Sequence, residues 1–437
     1  MATLTFPLSR IEGHARVEIE VREGKVISTR FQAMEKRGFN LMVHGVPAEQ
    51  IPVIVPRICG VCSTAHHVAS VKALEDAYGV QPPALASELR EVLLLGQIIQ
   101  NQATSLFVFT MPDMLGVDSL FHVSVEEADK TIQFNIAKRA LKLRQLGTDL
   151  ISLAGGQFIH PVKAVVGGMS SGIDATRANE FRRRLLEALP AACELVEFYW
   201  DITMRMKERI GSWGDDQPAF YITSTERDTP RYNSHIIRVM TPAGECCREF
   251  SAGEFRNFLT FEETDYSYAG RTSYEGEVMR ANSLARANMT RTIGTKLAGD
   301  FLRRLRAEFG HPAHPILLFD LCRGIELVYA IERGAALLEA PLDRDDPHLP
   351  YTPHDGEGWG LVEAPRGPLI HHYVIENGVI ALGEFIIPTV HNMLAIERAL
   401  RVAAERYITA DSVNLELERA VGRVVRAFDP CIACATH

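Results

Sequence analysis

The chain has 437 residues, of which 46% are hydrophobic, and its formal net charge of −9 at pH 7 comes without a long basic run; this length predicts two or three structural units with a substantial buried interior. Nucleic acid is therefore not expected as a partner, because phosphate binding needs a concentrated Lys/Arg surface. The first residues carry no secretory signal, and no run of about 18 apolar residues predicts a transmembrane segment.

The first half of the chain predicts a small sheet followed by long helices. Residues 2–32 are predicted to form strands, with a hairpin that turns at Glu23-Gly24-Lys25. The apolar run 51–56 contains two prolines, which favours an extended segment. Apolar spacing of three and four residues then predicts helices long enough to form a central bundle. These helices are predicted over 63–78, 84–110, 125–154 and 174–210.

The second half is more varied. Residues 213–275 are rich in Gly, Pro, Thr, Tyr and Ser, and predict a small, partly β subdomain. Residues 277–309 are predicted to be helical. A second sheet is predicted over 362–390, because Asn377-Gly378 between alternating apolar runs is a strong hairpin signal. A final helix is predicted over 392–428.

These elements predict a multi-domain α+β protein that is mainly α, with a central bundle of long helices and small peripheral β-sheets. The predicted segments are an N-terminal hairpin region with its lead-in to the first cysteine pair (1–56), a helical bundle (57–212), an irregular α+β subdomain (213–276), a helical segment (277–361), a β-hairpin sheet (362–391) and a C-terminal helix with a terminal cysteine motif (392–437).

Two Cys-x-x-Cys pairs lie at opposite ends of the chain. Cys59 and Cys62 form the first pair, and Cys431 and Cys434 form the second. Four thiols in two close pairs favour a soft-metal site. Spacing alone leaves open a structural zinc clamp and a redox or catalytic metal, although the pairs of a zinc clamp are usually only roughly 15 to 20 residues apart. Eight cysteines are few for this length, so reduced thiols and a cytoplasmic location are expected.

Polar residues near these motifs favour a catalytic metal. His66 follows the first pair, Glu12 lies in a polar stretch between strands, and Arg366 precedes the second hairpin. Taken singly, each is more often an ordinary core histidine, surface carboxylate or ion-pair partner. Together they offer a base, an acid and a guanidinium, which structural zinc does not need.

These segments together resemble the large subunit of nickel–iron hydrogenases, most closely its cytoplasmic multimeric branch. The resemblance spans the chain and implies the hydrogenase large-subunit fold, which the 49-kDa quinone-reducing subunit of complex I shares. Its landmarks are Arg-Ile-Glu-Gly-His at 10–14, Arg-x-Cys-Gly-x-Cys-x-x-x-His at 57–66, His160-Pro161 with Gly167-Gly168, Glu-Ala-Pro-Arg-Gly at 363–367, Pro388-Thr389 with Asn392, and Asp-Pro-Cys-x-x-Cys-x-x-His at 429–437.

The resemblance implies a nickel–iron centre with carbon monoxide and two cyanides on the iron, and no iron–sulfur cluster in this chain. Cys59 and Cys431 would be terminal thiolates on nickel, and Cys62 and Cys434 would bridge nickel to iron. A magnesium or similar ion would lie near the C-terminus. Its implied ligands are His437 and the carbonyl of Met393.

The resemblance also assigns residues around the metals. Glu12 would take a proton from the Cys431 sulfur, and His66 would donate to a bridging sulfur. The remaining implied roles are Arg366 over the open face of the metals, Asp429 as its support, and Thr389 as a hydrogen-bond donor to cyanide with Pro388 beside it. Two positions depart from the family pattern, since Asn40 and Asn101 stand where many relatives have acidic residues.

The implied activity is the reversible oxidation of dihydrogen to two protons and two electrons. The electrons would pass to an iron–sulfur small subunit, and flavin- or nicotinamide-linked subunits are possible further partners. The ending at His437 predicts prior processing by a maturation protease. Two alternatives stay open: a dihydrogen sensor that uses the same site, and a metal-free scaffold like that of complex I, against which the four cysteines argue.

Overall fold

The computed structural model describes residues 2–121, 132–208, 214–408 and 412–436. Within these ranges it confirms an α+β fold that is mainly α. The helices are α1 Phe39–Met42, α2 Ile51–Ile54, α3 Ser63–Ala77, α4 Ala84–Thr104, α5 Met111–Leu115, α6 Ile132–Gly155, α7 Ala175–Arg205, α8 Phe255–Phe258, α9 Ser283–Met289, α10 Lys296–Phe309, α11 Leu318–Leu337, α12 Met393–Tyr407, α13 Leu415–Phe428 and α14 Ile432–Ala435.

Small sheets surround the helices. The strands are β1 Ala2–Pro7, β2 Ala15–Arg22, β3 Lys25–Ala33, β4 Ala164–Val165, β5 Gly168–Met169, β6 Phe220–Thr223, β7 Ile237–Met240, β8 Cys246–Phe250, β9 Leu259–Glu262, β10 Arg271–Tyr274, β11 Met279–Arg280, β12 Gly356–Ala364, β13 Gly367–Glu376 and β14 Val379–Ile386. The sheet orders are β1-β2-β3, β12-β13-β14, β11-β6-β7-β8, β10-β9 and β4-β5.

Long helices form the centre of the molecule, as the apolar spacing predicts. Helices α4, α6, α7 and α11 pack together, and α3 packs on β12 and β13. Their apolar faces join one large buried cluster that also takes in side chains of the sheets. The predicted hairpins β2–β3 and β13–β14 are confirmed as antiparallel pairs.

Helix α3 lies unusually close to the sheet beneath it. A Cβ atom on Gly360 of β12 would lie 1.9 Å from the Ala69 carbonyl oxygen, and one on Gly358 would lie 2.2 Å from that of Ala73. Neither position has room for a side chain. Backbone-on-backbone packing therefore brings the face of α3 that follows Cys62 directly against the sheet, and this contact positions the site described below.

Some sequence expectations are wrong. Residues 51–56 are not extended: they form α2 and a 3₁₀ turn at Val55–Ile58, with Pro52 and Pro56 each in a first turn, where proline needs no hydrogen-bond partner. The predicted helix 277–309 breaks into α9 and α10 around Gly294, whose φ is +76°.

Two further boundaries differ. β12 begins at Gly356, inside the segment 277–361 that was expected to be helical. The sequence did not predict this part of the strand, because its glycines hide the alternation of polar and apolar residues. The final helix is two helices, α12 and α13. Residues 125–131 of one predicted helix lie outside the described residues, and the division into six segments stays a prediction.

One helical stretch has the length and composition of a membrane span. It runs through Ala84–Leu115, and 83% of its most apolar window is buried inside the protein. The bundle core therefore accounts for this apolar sequence.

Candidate metal centre

The first cysteine pair lies between the lead-in turn and α3. Cys59 is extended, and Cys62 occupies the N-cap of α3. The amide of Gln97 donates to the Val61 carbonyl (2.9 Å) and holds the loop between them. The N-terminal end of a helix favours negative charge, so Cys62 is placed where a thiolate is stabilised.

The second pair follows α13 directly. Asp429 ends that helix in the left-handed region, with φ +47°, and this turns the chain inward. The Asn282 side chain donates to the Phe428 carbonyl (3.0 Å), and the Cys431 backbone N–H donates to the Thr389 hydroxyl oxygen (3.0 Å). These contacts anchor the chain end in the interior.

A third segment, the loop before β2, completes the pocket. The backbone N–H of Ile432 donates to the Glu12 carbonyl (3.1 Å), and Glu12 pairs with Cys431 as a parallel bridge. A Cβ atom on Gly13 would lie 2.8 Å from the Ile432 Cβ, so only glycine allows this approach. Residues near both ends of the chain thus meet at one point.

The four cysteine sulfurs converge. All lie within 4.8 Å of one another and all are buried. Cys431 Sγ lies 3.4 Å from Cys59 Sγ, 3.8 Å from Cys62 Sγ and 2.9 Å from Cys434 Sγ. The cysteines are free thiols. Four soft donors in a buried pocket suit nickel and iron, so the residues present fit the centre that the sequence implies.

The pocket shifts the pKa values of the thiols in different directions. Burial raises the pKa of Cys431 and of Cys434. Hydrogen bonding with Cys431 and Cys434 holds the pKa of Cys62 well below its usual value, and the nearby Arg366 charge lowers it further. A lowered pKa favours the thiolate, which is the form of cysteine that binds a metal.

Glu12 lies at the edge of the sulfur cluster. Its Oε2 accepts from the Cys431 thiol (3.1 Å) and from the Ala433 backbone N–H (3.0 Å). Burial, followed by the charge of Cys59, raises the pKa of this carboxyl group. A carboxyl with a raised pKa, one hydrogen bond from a sulfur, can hold and release a proton there.

Arg366 contacts the sulfur cluster at Cys62. Its Nη1 donates to Cys62 Sγ (3.2 Å), its Nη2 to the Asp429 carboxylate (3.1 Å) and its Nε to the Asp429 carbonyl. The Asn101 amide donates to the other Asp429 oxygen (3.1 Å). Asn101, which stands where many relatives have an acidic residue, therefore supports Asp429 as a neutral hydrogen-bond donor.

His66 reaches the fourth sulfur from α3. Its Nε2 lies 3.4 Å from Cys434 Sγ, and its Nδ1 lies 2.9 Å from His371 Nε2. The sequence motifs did not predict this second histidine. The available signal was the polar run His371-His372-Tyr373 inside the otherwise apolar β13.

The remaining predicted site residues differ in how deeply they are buried. Pro388, Thr389 and Met393 are buried. Of these three, Thr389 accepts a hydrogen bond from a cysteine, the Cys431 backbone N–H. Asn40 is exposed and lines, with Ala435, an open cavity of about 750 Å³. His437 lies outside the described residues.

Comparisons with known proteins agree with the fold and the pocket. The family described as Nickel-dependent hydrogenase matches residues 37–145 and 226–437, and the HoxL-like family matches residues 6–35. The fold and a pocket of four cysteines define a metalloprotein with a soft-metal centre. The chain belongs to the nickel-dependent hydrogenases, which are oxidoreductases, and is a large, catalytic subunit.

Individual relatives cover nearly the whole chain. A vhu-type F420-non-reducing hydrogenase subunit of Methanocaldococcus jannaschii is 34% identical over 91% of this chain and 97% of its own length. The NAD-reducing hydrogenase HoxS subunit beta of Cupriavidus necator is 28% identical over 99% and 93%.

Solved structures show the same fold. A crystal structure of an NAD+-reducing NiFe hydrogenase in the H2-reduced state superimposes with a TM-score of 0.91, at 26% identity and with full coverage of both chains. The NiFeSe hydrogenase of D. vulgaris Hildenborough has a TM-score of 0.79 at 22% identity, with 100% of this chain and 99% of that one covered, and shows the fold alone.

Proposed function

We propose that this chain oxidises dihydrogen reversibly and heterolytically, to two protons and two electrons, at a centre held by Cys59, Cys62, Cys431 and Cys434. When bound, the nickel–iron centre, with carbon monoxide and two cyanides on the iron, supplies the splitting of dihydrogen. The observation that carries this proposal is the convergence of four buried sulfurs beside a carboxyl group and a guanidinium.

Glu12 is the residue that carries the proton away from the site. Its contact with the Cys431 sulfur places an acceptor one hydrogen bond from a basic ligand atom. The N–H of Ala433 fixes the same carboxylate oxygen, so the group is held in place before the proton arrives. General acid–base transfer at a positioned carboxyl group contributes roughly 10²–10⁴-fold to a rate.

Arg366 and Asp429 would form a fixed polar cover over bound metals. The buried carboxylate holds the guanidinium with its charge directed at Cys62. A preorganised cation stabilises negative charge that develops in a dry pocket. Arg366 therefore orients and stabilises reacting groups, and Asp429 and Asn101 position it.

Two groups of contacts tune the ligands. His66 would donate to Cys434 with that sulfur as a metal thiolate, and Thr389 would donate a hydrogen bond to a cyanide, with Pro388 beside it. The Thr389 hydroxyl oxygen already accepts from the Cys431 N–H, which leaves its own hydrogen free to point into the pocket. Hydrogen bonds of this kind orient ligands and tune a metal.

A second ion, magnesium or similar, is proposed near the C-terminus. Its ligands are His437 and the Met393 carbonyl. The burial of Met393, and the packing of α14 on the turn Pro388–Asn392 that precedes it, support this assignment. Asn40 replaces an acidic residue of the family, so the ion would have a less negative shell.

The electrons leave through a partner. We propose an iron–sulfur small subunit, with flavin- or nicotinamide-linked subunits beyond it, in a cytoplasmic heteromeric complex. The support is that relatives are named as subunits, among them those of F420-non-reducing and NAD-reducing hydrogenases. The eight cysteines leave none spaced for a cluster outside the centre. A maturation protease would act on the C-terminus before assembly.

Two other functions are alternatives to a metabolic enzyme. A dihydrogen sensor would use the same site with low turnover, and partner identity would distinguish it. A metal-free scaffold would have no use for four convergent sulfurs. The geometry favours the enzyme over the scaffold.

The decisive experiment is elemental analysis with infrared spectroscopy of the purified protein. Nickel with iron, sharp carbonyl and cyanide bands, and dihydrogen-dependent reduction of a viologen dye are expected. Cys431→Ser, which keeps a hydroxyl in place of the thiol, should lose nickel and the bands, whereas Cys193→Ser, at a half-buried cysteine outside the cluster, should keep both. Zinc alone, without such bands, would return the site to a structural clamp.

A further inference from the structure

A row of hydrogen-bonded side chains runs from the metal pocket into the interior behind His66. His66 Nε2 faces Cys434 Sγ at 3.4 Å, and its Nδ1 lies 2.9 Å from His371 Nε2. His371 Nδ1 lies 2.8 Å from the Tyr373 hydroxyl, which is hydrogen-bonded to the Ser70 hydroxyl at 3.0 Å. We call His66, His371, Tyr373 and Ser70 the histidine row.

The periodicity of two elements builds this row. His66 and Ser70 are four residues apart and lie on one face of α3, while His371 and Tyr373 are two apart and lie on one face of β13. The glycine-lined packing of α3 on the sheet brings these faces within hydrogen-bonding distance. All four side chains are fully buried, so the row is isolated from solvent.

We propose that His371 and Tyr373 are positioning residues for the metal centre: they hold the His66 ring and its hydrogen so that His66 donates to Cys434 when this sulfur binds metal. This inference rests on the proposed nickel–iron centre. The evidence is the unbroken contact from Cys434 to Ser70, in which each ring nitrogen of both histidines has a partner.

The row can run in either direction with the same number of hydrogens on its four side chains, because the proton that Cys434 loses on binding metal is released from the sulfur. A thiol at Cys434 donates to His66 Nε2, and each following group then donates toward Ser70. A metal thiolate only accepts, so Nε2 must carry the hydrogen, Nδ1 then accepts from His371 Nε2–H, and His371 Nδ1 accepts from the Tyr373 hydroxyl. Both histidines stay neutral, because the Tyr373 and Ser70 hydroxyls can rotate and donate their hydrogen bonds in either direction.

The Tyr373 hydroxyl is the group that makes the reversal possible. Burial raises its pKa, so it keeps its hydrogen at neutral pH. Replacement by phenylalanine removes the donor to His371 and leaves the ring packing intact. His66 then loses its fixed tautomer and donates more weakly to Cys434. A weaker hydrogen bond leaves more electron density on the sulfur and on the iron, and increased back-donation lowers the carbonyl stretching frequency.

The test compares infrared spectra of wild-type holoprotein, Tyr373→Phe and Tyr221→Phe, prepared in the same redox state with equal nickel content. Tyr221 is a matched control, since its buried hydroxyl also bonds a histidine, His314 (2.7 Å), and a carbonyl, in another part of the fold. Tyr373→Phe should shift the carbonyl band to lower wavenumber, and Tyr221→Phe should match wild type. Coincident wild-type and Tyr373→Phe bands would overturn the proposal.

Two further measurements cover other outcomes. If Tyr373→Phe does not load nickel, Ser70→Ala, which removes only the far hydroxyl, should shift the band in the same direction, and an unshifted band would overturn the proposal. If wild type has no carbonyl band, the proposed centre fails. Nitrogen-15 NMR of histidine-labelled protein still tests the row: the tautomer of His66 should change in Tyr373→Phe and stay as in wild type in Tyr221→Phe, and an unchanged tautomer would refute it.

Discussion

The Arg366 guanidinium carries a positive charge in a buried pocket. Asp429 and the cysteine sulfurs are the groups that balance it, and both Arg366 and Asp429 are buried. Their attraction raises the pKa of Arg366 well above its usual value. Burying an ion pair of this kind costs desolvation free energy. Removing one partner is also destabilising, because the other charge is then left buried without a counter-charge.

Asp429→Asn should therefore destabilise the protein strongly. Loss of one partner of a buried ion pair costs about 3–5 kcal/mol. Denaturant unfolding measures the change. Glu187→Gln is the control, since its pair with Arg183 is exposed (63% and 59%) and should contribute less than about 1 kcal/mol. Equal effects for the two variants would contradict the argument.

Glu12→Gln tests proton transfer at the same scale. The amide keeps the shape and an acceptor for the Ala433 N–H, but it cannot hold a proton for transfer. Dihydrogen-dependent dye reduction should fall roughly 10²–10⁴-fold, with nickel content unchanged. Glu18→Gln, a change of the same type on β2, should keep full activity. Wild-type turnover in Glu12→Gln would exclude this residue as the carrier.

At the scale of elements, the contact of α3 with β12 decides the site. The helix delivers Cys62 at its N-cap and His66 one turn later, and the sheet delivers Arg366 and His371. The depth at which α3 lies therefore sets the distances between these groups. Glycine spacing along β12 controls that depth.

Gly360→Ala should push α3 outward. The new Cβ would lie 1.9 Å from the Ala69 carbonyl oxygen, and overpacking of this kind costs about 1–3 kcal/mol or more. Gly299→Ala is the control, because the Cβ in α10 meets only ordinary contacts beyond 3.4 Å and alanine favours a helix by about 1 kcal/mol. Thermal unfolding with nickel analysis distinguishes them, and an unaffected Gly360→Ala would refute the packing argument.

His67 makes the seating of α3 sensitive to acid. Its Nδ1–H donates to the Pro52 carbonyl (2.8 Å) and its Nε2 accepts from the Ala164 N–H (3.2 Å), so the ring is held neutral. Burial lowers its pKa to about 4 from 6.5. Because the unfolded chain binds the proton more tightly, stability should be complete above about pH 6.5 and decline as the pH falls toward 4.

The measurement is the free energy of unfolding of wild type and His67→Gln between pH 7.5 and 4.5. The decline for wild type should amount to about 1.4 kcal/mol per pH unit within the window for this group. Glutamine does not titrate, so its variant should show a smaller slope. Parallel pH profiles would show that His67 is not the group responsible.

At the scale of the whole molecule, the fold joins segments near the two ends of the chain. Backbone bonds connect Glu12 with Ile432 (3.1 Å) and Arg37 with Thr436 (2.8 Å). Metal bound by both cysteine pairs would add a further connection between these segments. Ligand binding to the folded state alone stabilises it by about 2.7 kcal/mol at a hundredfold excess over Kd.

Loss of the metals should therefore loosen the chain end. In hydrogen exchange, amides of residues 431–436 should be protected in the loaded protein and exchange faster in protein produced without nickel. Amides of α11 in the bundle core should exchange equally in both. Equal protection of 431–436 would show that the fold alone holds the chain end.

The sequence by itself determined the α+β class, the long helices, both hairpins and the four cysteines, since periodicity, turn residues and ligand chemistry are local signals. Spacing alone left zinc and a catalytic metal open. Only the tertiary structure decided that the sulfurs meet, that Asn101 supports Asp429, and that His371 and Tyr373 lie behind His66. Those residues are far apart in the chain, and their contacts depend on how closely α3 packs on β12 and β13, which no local pattern encodes.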